Sequence, residues 1–337
     1  MLIRKLIFIY MILLNSHNAF AEDIPTQNLG EKAMISSLRE EINKNEILNA
    51  SKFKIILGAG INGCQAFKSK PQQNEINVLL TWQWLDNLTD IDNSTFLVVP
   101  EHAIDHRFED LQKRGVKLIL ISGVIHNKTQ ENIMKEEIVD IDPSTQYIAM
   151  LAGDTQQEDG KWTKFDRNML LGFLKFLPED KKILILNGPR TGKFKENLEE
   201  MDMEAHKTSV DYITKAVMKK NIPNWKVMDF KYGEKSYWEK ALKFCLLHTD
   251  VALILPGEST SMISEALGLG ILPVIYNHEA MTKNSLNYIN ILAGEQKILI
   301  YPKMGKKIYN QNPVADQKAK IIKELVEITK NLNLLPK

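Results

Sequence analysis

Cysteine is almost absent: Cys64 and Cys245 are the two in 337 residues. Cys64 follows a glycine-rich turn and Cys245 lies on the apolar face of residues 237–247, so each reads as a small core residue and not as half of a disulfide. An excess of one charge is missing too. Lysine and arginine number 43 against 42 aspartates and glutamates, a net charge of +1, and the two signs are interleaved, which excludes the basic stripe of a nucleic-acid surface. No internal repeat or low-complexity tract stands out. The apolar run at residues 6–14 is too short for a comfortable membrane span. A Walker A loop is also missing. Gly188-Pro189-Arg190-Thr191-Gly192-Lys193-Phe194 is one residue short between its glycines and puts Phe194 where Ser or Thr must hold magnesium.

The chain is 44% hydrophobic and 25% charged, enough to bury two cores, and its length predicts about two domains. Arg4 and Lys5 precede the apolar run, and Ala19-Phe20-Ala21 has the A-x-A form of a cleavage site, so residues 1–21 are predicted to be a secretory signal peptide. Kept as an anchor, the same segment would still send the rest of the chain across the membrane, because its positive charges lead. The folded part is therefore expected outside the cytoplasm, periplasmic or secreted, with membrane association only through an uncleaved N-terminus.

Beyond that segment, apolar runs of strand length recur at 52–57, 76–80, 95–99, 117–121, 147–151, 182–186, 226–230, 251–255 and 272–276. Helical patterns lie between several of them, at 107–114, 167–176, 209–221 and 237–247, and an amphipathic helix closes the chain at 315–331. Alternation of helices with fully apolar strands predicts parallel sheets covered on both faces, an α/β fold. The turn-rich segment Asp140-Ile141-Asp142-Pro143-Ser144 interrupts the alternation, and the domain boundary is expected there.

The chemistry concentrates at Pro256-Gly257-Glu258-Ser259-Thr260-Ser261, between the strand at 250–255 and a helix. Gly257 lets the backbone approach a ligand, and Ser259, Thr260 and Ser261 bring hydroxyls and N–H groups to a helix N-terminus, where the macrodipole favours an anion. Glu265 follows one turn later. A capping box would need Ser or Thr three residues before it, where Met262 stands, so the carboxylate is expected to be free for ribose hydroxyls. The bland alternative is a capped helix with a solvated glutamate. A second apolar strand at 271–276 makes the unit strand–helix–parallel strand, with the anion site at the carboxyl edge.

Residues 257–276 resemble the nucleotide-sugar half of GT-B glycosyltransferases, including the enzyme that makes peptidoglycan lipid II. They are most similar to the glycosyltransferase family named after the plant mitochondrial-fission protein of the elongated-mitochondria phenotype. The resemblance implies a GT-B-like fold of two Rossmann-like parallel-sheet domains facing a central cleft. It divides the chain into an acceptor domain at 45–143, a nucleotide-sugar domain at 144–310 and a final helix at 315–332 packed back on the first domain. The implied activity is inverting transfer of a sugar from a nucleoside-diphosphate sugar to an unknown acceptor, without a metal or other cofactor. The alternative is a GT-B-like binding or scaffold protein without turnover. For the donor site the resemblance implies Ser259, Thr260 and Ser261 on the diphosphate and Glu265 on the ribose. It adds Gly153 of the loop Gly153-Asp154-Thr155, and Arg190-Thr191, which match an Arg-Thr pair after the equivalent strand. The forked guanidinium of Arg190 suits a diphosphate, against the plainer reading of a loop arginine in solvent.

Two loops of the first half remain. Gly58-Ala59-Gly60-Ile61-Asn62-Gly63 matches G-x-G-x-x-G, but Thr81 and Trp82 stand where a dinucleotide fold wants an acid. Gly58, Gly60 and Asn62 therefore read as a tight turn, as acceptor or phosphate contacts, or last as a nicotinamide or flavin site, the GT-B resemblance favouring the acceptor or phosphate contact. Pro100-Glu101-His102 and Ser122-Gly123-Val124-Ile125-His126 end two strands and resemble segments of the same family. A group that titrates near neutrality could take the acceptor proton, with His102 the first candidate and His126 and Glu101 behind it. Otherwise these are loop or core histidines with backbone partners. Asp140-Ile141-Asp142 has the Asp-x-Asp form of a GT-A metal site but lies in the expected linker, and no metal is assigned to it.

Overall fold

The computed structural model describes residues 21–25, 29–138, 140–157, 159–175, 177–196, 200–301 and 317–334. The export signal expected at residues 1–21 lies outside them except for Ala21. Among the described residues no helix is long and apolar enough to cross a membrane. The chain forms two compact units, residues 1–127 with 316–337, and residues 128–315.

The first unit opens with the short strand β1 (Glu22–Asp23) and the helices α1 (Leu29–Lys44) and α2 (Glu46–Asn49). Then follow β2 (Lys54–Ala59), α3 (Gly60–Ala66), β3 (Glu75–Leu80), β4 (Phe96–Pro100), α4 (His106–Lys113) and β5 (Lys117–Ile121). The sheet is wholly parallel and ordered β1-β2-β3-β4-β5. Alternate side chains divide between its faces, as the pleat requires. Ile55, Leu57, Ile76, Val78, Phe96, Val98, Ile119 and Ile121 pack with Ile35, Leu38 and Ile42 of α1, while Ile56, Leu79, Leu97 and Val99 pack with Cys64, Phe67, Phe108 and Leu111. Burial on both faces is why these strands read as unbroken apolar runs.

The second unit runs α5 (Gln130–Met134), β6 (Tyr147–Met150), the hairpin β7 (Thr155–Gln156) and β8 (Trp162–Thr163), α6 (Arg167–Leu174), β9 (Ile183–Leu186), α7 (Tyr212–Met218) and β10 (Trp225–Met228). It continues through α8 (Trp238–Leu247), β11 (Ala252–Pro256), α9 (Thr260–Gly268), β12 (Val274–Tyr276), α10 (Lys283–Gly294) and β13 (Leu299–Ile300). Its six-stranded sheet is parallel throughout, in the order β10-β9-β6-β11-β12-β13. Counted along the chain this is 3-2-1-4-5-6, the Rossmann order. Residues of α6 and α7, among them Leu170, Phe173, Ile213 and Val217, cover one face, and Trp238, Leu242, Ile263, Leu267, Tyr288 and Ile289 of α8, α9 and α10 cover the other. The last helix, α11 (Gln317–Leu334), returns to the first unit, where Ile321 and Leu325 join the core beside α1.

The division falls at Asn127 and Lys128, ahead of the turn where the boundary is expected. Ile133 and Ile141 belong to the second core, Asp142 pairs with Lys182 at 2.7 Å, and Asp140 pairs with Lys240 at 3.0 Å. The Asp140–Asp142 turn is thus fastened to the second unit from within. Cys64 and Cys245 are buried, unbridged and in different cores.

Candidate functional site

In a doubly wound sheet, the loops leaving neighbouring strands diverge where the strand order reverses, and the gap they leave is where ligands enter. Here the reversal falls between β6 and β11. The residues at those two carboxyl ends are Gly153 and Asp154 on one side and Gly257 to Ser261 on the other. Their backbones are joined through a side chain: Gly153 N–H donates to Glu258 Oε1 at 2.8 Å. Glu258 Oε2 accepts from His278 Nε2 at 2.7 Å, which brings in the loop after β12. Both side chains of this pair are almost wholly buried, and His278 Nδ1 is enclosed without a partner. The spacing gave no sign of this pair. Glu258 and His278 are twenty residues apart and match no motif.

Gly257 N–H donates to Tyr276 O at 3.0 Å, and a Cβ at residue 257 would lie 2.5 Å from Met281 Cε. A side chain at residue 257 would have to push the end of the Met281 side chain aside. Ser259 stands at the N-cap of α9 with φ −89° and ψ 66°, and its side chain makes no capping hydrogen bond. Thr260 N–H turns back to Glu258 O at 3.1 Å. The next first-turn amides, of Ser261 and Met262, have no intrahelical acceptor by the geometry of a helix start. Ser259 and Thr260 are half-exposed and Ser261 is exposed, so hydroxyls and dipole are accessible together.

The rest of the expected donor set divides. The turn of Arg190 does reach the site: Asp154 N–H donates to Arg190 O at 2.8 Å, a Cβ on Gly153 would lie 2.6 Å from Arg190 Cβ, and residue 190 is exposed. Thr191 is buried instead. Its hydroxyl accepts from Gly188 N–H at 3.1 Å and its carbonyl lies 2.8 Å from His206 Nε2, so it holds the loop together. Asp154, an awkward charge for a phosphate loop, points inward and accepts from Phe165 N–H at 2.9 Å and Phe194 N–H at 3.0 Å. Burial raises its pKa.

Glu265 is not free, as the missing capping box led one to expect. Its Oε2 accepts the indole N–H of Trp238. Burial raises its pKa, with the Trp238 hydrogen bond acting in the opposite direction. One oxygen is committed within the protein, so any ribose contact must share this carboxylate.

A cavity of about 600 Å³ opens beside α6, lined by Asp166, Asn168, Phe173, Tyr276, His278 and Tyr301 among others. Phe173 and Tyr276 stack there with centroids 4.1 Å apart. His278 relates this cavity to the Glu258 pair, but the hydroxyl turn, Arg190 and Glu265 are not among its lining residues.

In the first unit, Gly58 and Gly63 let β2 and α3 touch: a Cβ on Gly58 would lie 2.9 Å from Gly63 Cα. Gly60 has φ +57°, and a Cβ there would meet Glu31 Oε1 at 2.2 Å. The Glu31 carboxylate therefore lies against this turn, where a phosphate contact is the alternative reading. Asn62 donates to Pro25 O at 3.3 Å.

The candidate bases differ sharply. His102 is 7% exposed, and burial pushes its pKa down to about 4. It is neutral at pH 7 and a weak base, not one tuned to neutrality. Glu101 is exposed and pairs with Lys320 at 3.4 Å. His126 is half-buried, and its carbonyl accepts from Ser37 Oγ at 3.0 Å. No protein-family model matches the chain, and no curated protein matches it.

Proposed function

We propose that the second unit binds a nucleoside-diphosphate sugar and that the chain is an inverting, metal-independent glycosyltransferase of the GT-B plan, with the first unit serving the acceptor. The observation that carries the reading is the start of α9. A helix N-terminus whose N-cap hydroxyl is uncommitted sits at the reversal of a Rossmann-ordered parallel sheet. In this reading Ser259, Thr260, Ser261 and the first amides of α9 hold the diphosphate, and Arg190 adds a forked cation from the neighbouring loop. As the acceptor oxygen attacks the anomeric carbon, the bond to the diphosphate breaks. The helix dipole and Arg190 stabilise the departing charge, and a base takes the acceptor proton. His126 is the better candidate for that base, since His102 is depressed by burial. Glu265 keeps a ribose role only through the oxygen that Trp238 leaves open. Export places the reaction outside the cytoplasm, where a donor from another cell or a lipid-linked donor meets it.

The second reading, a GT-B-like binding protein without turnover, is favoured by one observation: the first-choice base is buried and holds its proton poorly near neutrality. Calorimetric titration with UDP, GDP, CDP and their sugars tests the shared part. One nucleotide should bind, more weakly after Ser261→Pro or Arg190→Ala; silence across the panel removes both forms of donor site. Where binding is found, release of free nucleoside diphosphate from the sugar nucleotide in the presence of acceptor extracts separates enzyme from binder.

A further inference from the structure

Behind the Arg190–Thr191 turn lies a second group of polar side chains that the nucleotide reading does not use. His206 and Asp211 are 1% and 0% exposed, Asp229 is half-buried, and one donor atom from each lies within 4.8 Å of the others. Among the described residues this is the one cluster of three or more histidine, cysteine, aspartate or glutamate side chains with such spacing. Hydrogen bonds do not satisfy it. Asn187 Nδ2 carries two hydrogens but faces three acceptors: Asp211 Oδ2 at 3.1 Å, Thr214 Oγ1 at 2.9 Å and Asp229 Oδ1 at 2.8 Å. Asp229 Oδ2 and His206 Nδ1 are both enclosed with no partner at all.

Charge is out of balance as well. Among the described residues no lysine or arginine pairs with Asp211 or Asp229, and His206 Nε2 lies 3.8 Å from Asp211 Oδ2. A buried carboxylate and a half-buried one beside a neutral amide are costly unless a cation joins them. Neighbouring groups already hold the three side chains in place, as they do around metal ligands. His206 Nε2–H is directed at Thr191 O at 2.8 Å, Asp211 Oδ1 caps α7 through Thr214 N–H at 2.9 Å, and Asn187 fixes both carboxylates.

We propose that His206, Asp211 and Asp229 hold a divalent transition-metal ion, with Zn²⁺ the best match to one imidazole and two carboxylates. Ligands about 2.0–2.2 Å from one ion stand roughly 3–4 Å from one another, a spacing that falls within the 4.8 Å bound on these three atoms. The ion is structural. It ties the ends of β9 and β10 and the start of α7 to the loop that carries Arg190 and Thr191.

This is independent of the nucleotide reading and is tested without it. The full chain is stripped with a chelator and titrated with Zn²⁺ by calorimetry, with bound metal counted by elemental analysis. One equivalent per chain is expected, with affinity reduced at least about tenfold by His206→Gln and by Asp229→Asn, and unchanged by Asp142→Asn in the surface Asp-x-Asp turn. No binding to the unaltered chain, or binding undiminished in both variants, overturns the proposal; the acceptor surplus would then be met by a bound proton. Should the variants fail to fold, Co²⁺ added to the unaltered chain decides. One equivalent giving the intense d–d bands of a four- or five-coordinate nitrogen–oxygen site supports it, and only the weak pink absorption of hydrated Co²⁺ refutes it.

Discussion

The two sheets of this chain are both parallel and both covered on two faces, yet they treat the end of a strand differently. In the first unit the strands lie in chain order, β1-β2-β3-β4-β5, so every crossover steps the same way and no pair of loops diverges. In the second, order reverses between β6 and β11, and the loops at that point are joined through Glu258. Each unit also has a glycine-bearing turn into a helix. In the first, the Glu31 carboxylate lies against Gly60; in the second, the N-cap hydroxyl of Ser259 is left uncommitted. A local glycine motif therefore does not define an anion site. The two turns differ in strand order and in what their first groups already hold: Gly60 meets the Glu31 carboxylate, whereas the Ser259 hydroxyl makes no cap bond.

Substitutions that separate the two turns sharpen this contrast, and the largest effect is expected at the reversal. Glu258→Ala leaves Gly153 N–H and His278 Nε2 without their shared acceptor, and should lower unfolding free energy by about 3 kcal/mol. A loss under about 1 kcal/mol in urea melts would mean that the Glu258 pair does not hold the loops together.

Next is the pH response of the first unit. Unfolded, His102 titrates near 6.5; folded, burial holds it at about 4. Its contribution is therefore whole above pH 6.5 and is lost as pH falls toward 4, with no further loss below. Between pH 7.5 and pH 5 this group should remove about 2 kcal/mol, and His102→Gln should flatten that part of the profile. A variant with the same acid slope as the unaltered chain would assign the slope elsewhere.

Smaller again, Gly60→Ala forces a side chain into φ +57° and against Glu31, and should cost about 1–2 kcal/mol. Glu31→Ala in the same background should recover part of that loss, since it removes the atom that the new methyl meets. The smallest change is expected from Ser259→Ala. An N-cap serine usually contributes about 1 kcal/mol, but this one makes no cap bond, so the loss should stay below about 0.5 kcal/mol. A full capping loss would show that the hydroxyl is spent on the helix and not held for a ligand.

Much of the fold was legible because buried parallel strands are apolar on both faces. The run read at 117–121 is β5 itself, and 251–255 is displaced from Ala252–Pro256 by one residue. The strand read at 272–276 begins later, at Val274. α1 carries Ile35, Leu38 and Ile42 at helical spacing and went unread beside the export signal. The site was legible only where its parts are neighbours in sequence, as in Gly257 to Ser261. Glu265 reads as free in the sequence because its partner, Trp238, comes from another helix, and His102 reads as tunable because nothing local announces burial. His206, Asp211 and Asp229 match no ligand spacing, and only the fold brings them together.

The central claim is that the start of α9 receives phosphate, and a crystal of the chain soaked with the nucleoside diphosphate that binds best tests it most directly. Diphosphate oxygens within hydrogen-bond reach of the Ser261 and Met262 amides and the Ser259 hydroxyl are the expected result. A nucleotide seated away from that helix start, with those amides facing only solvent, would contradict it.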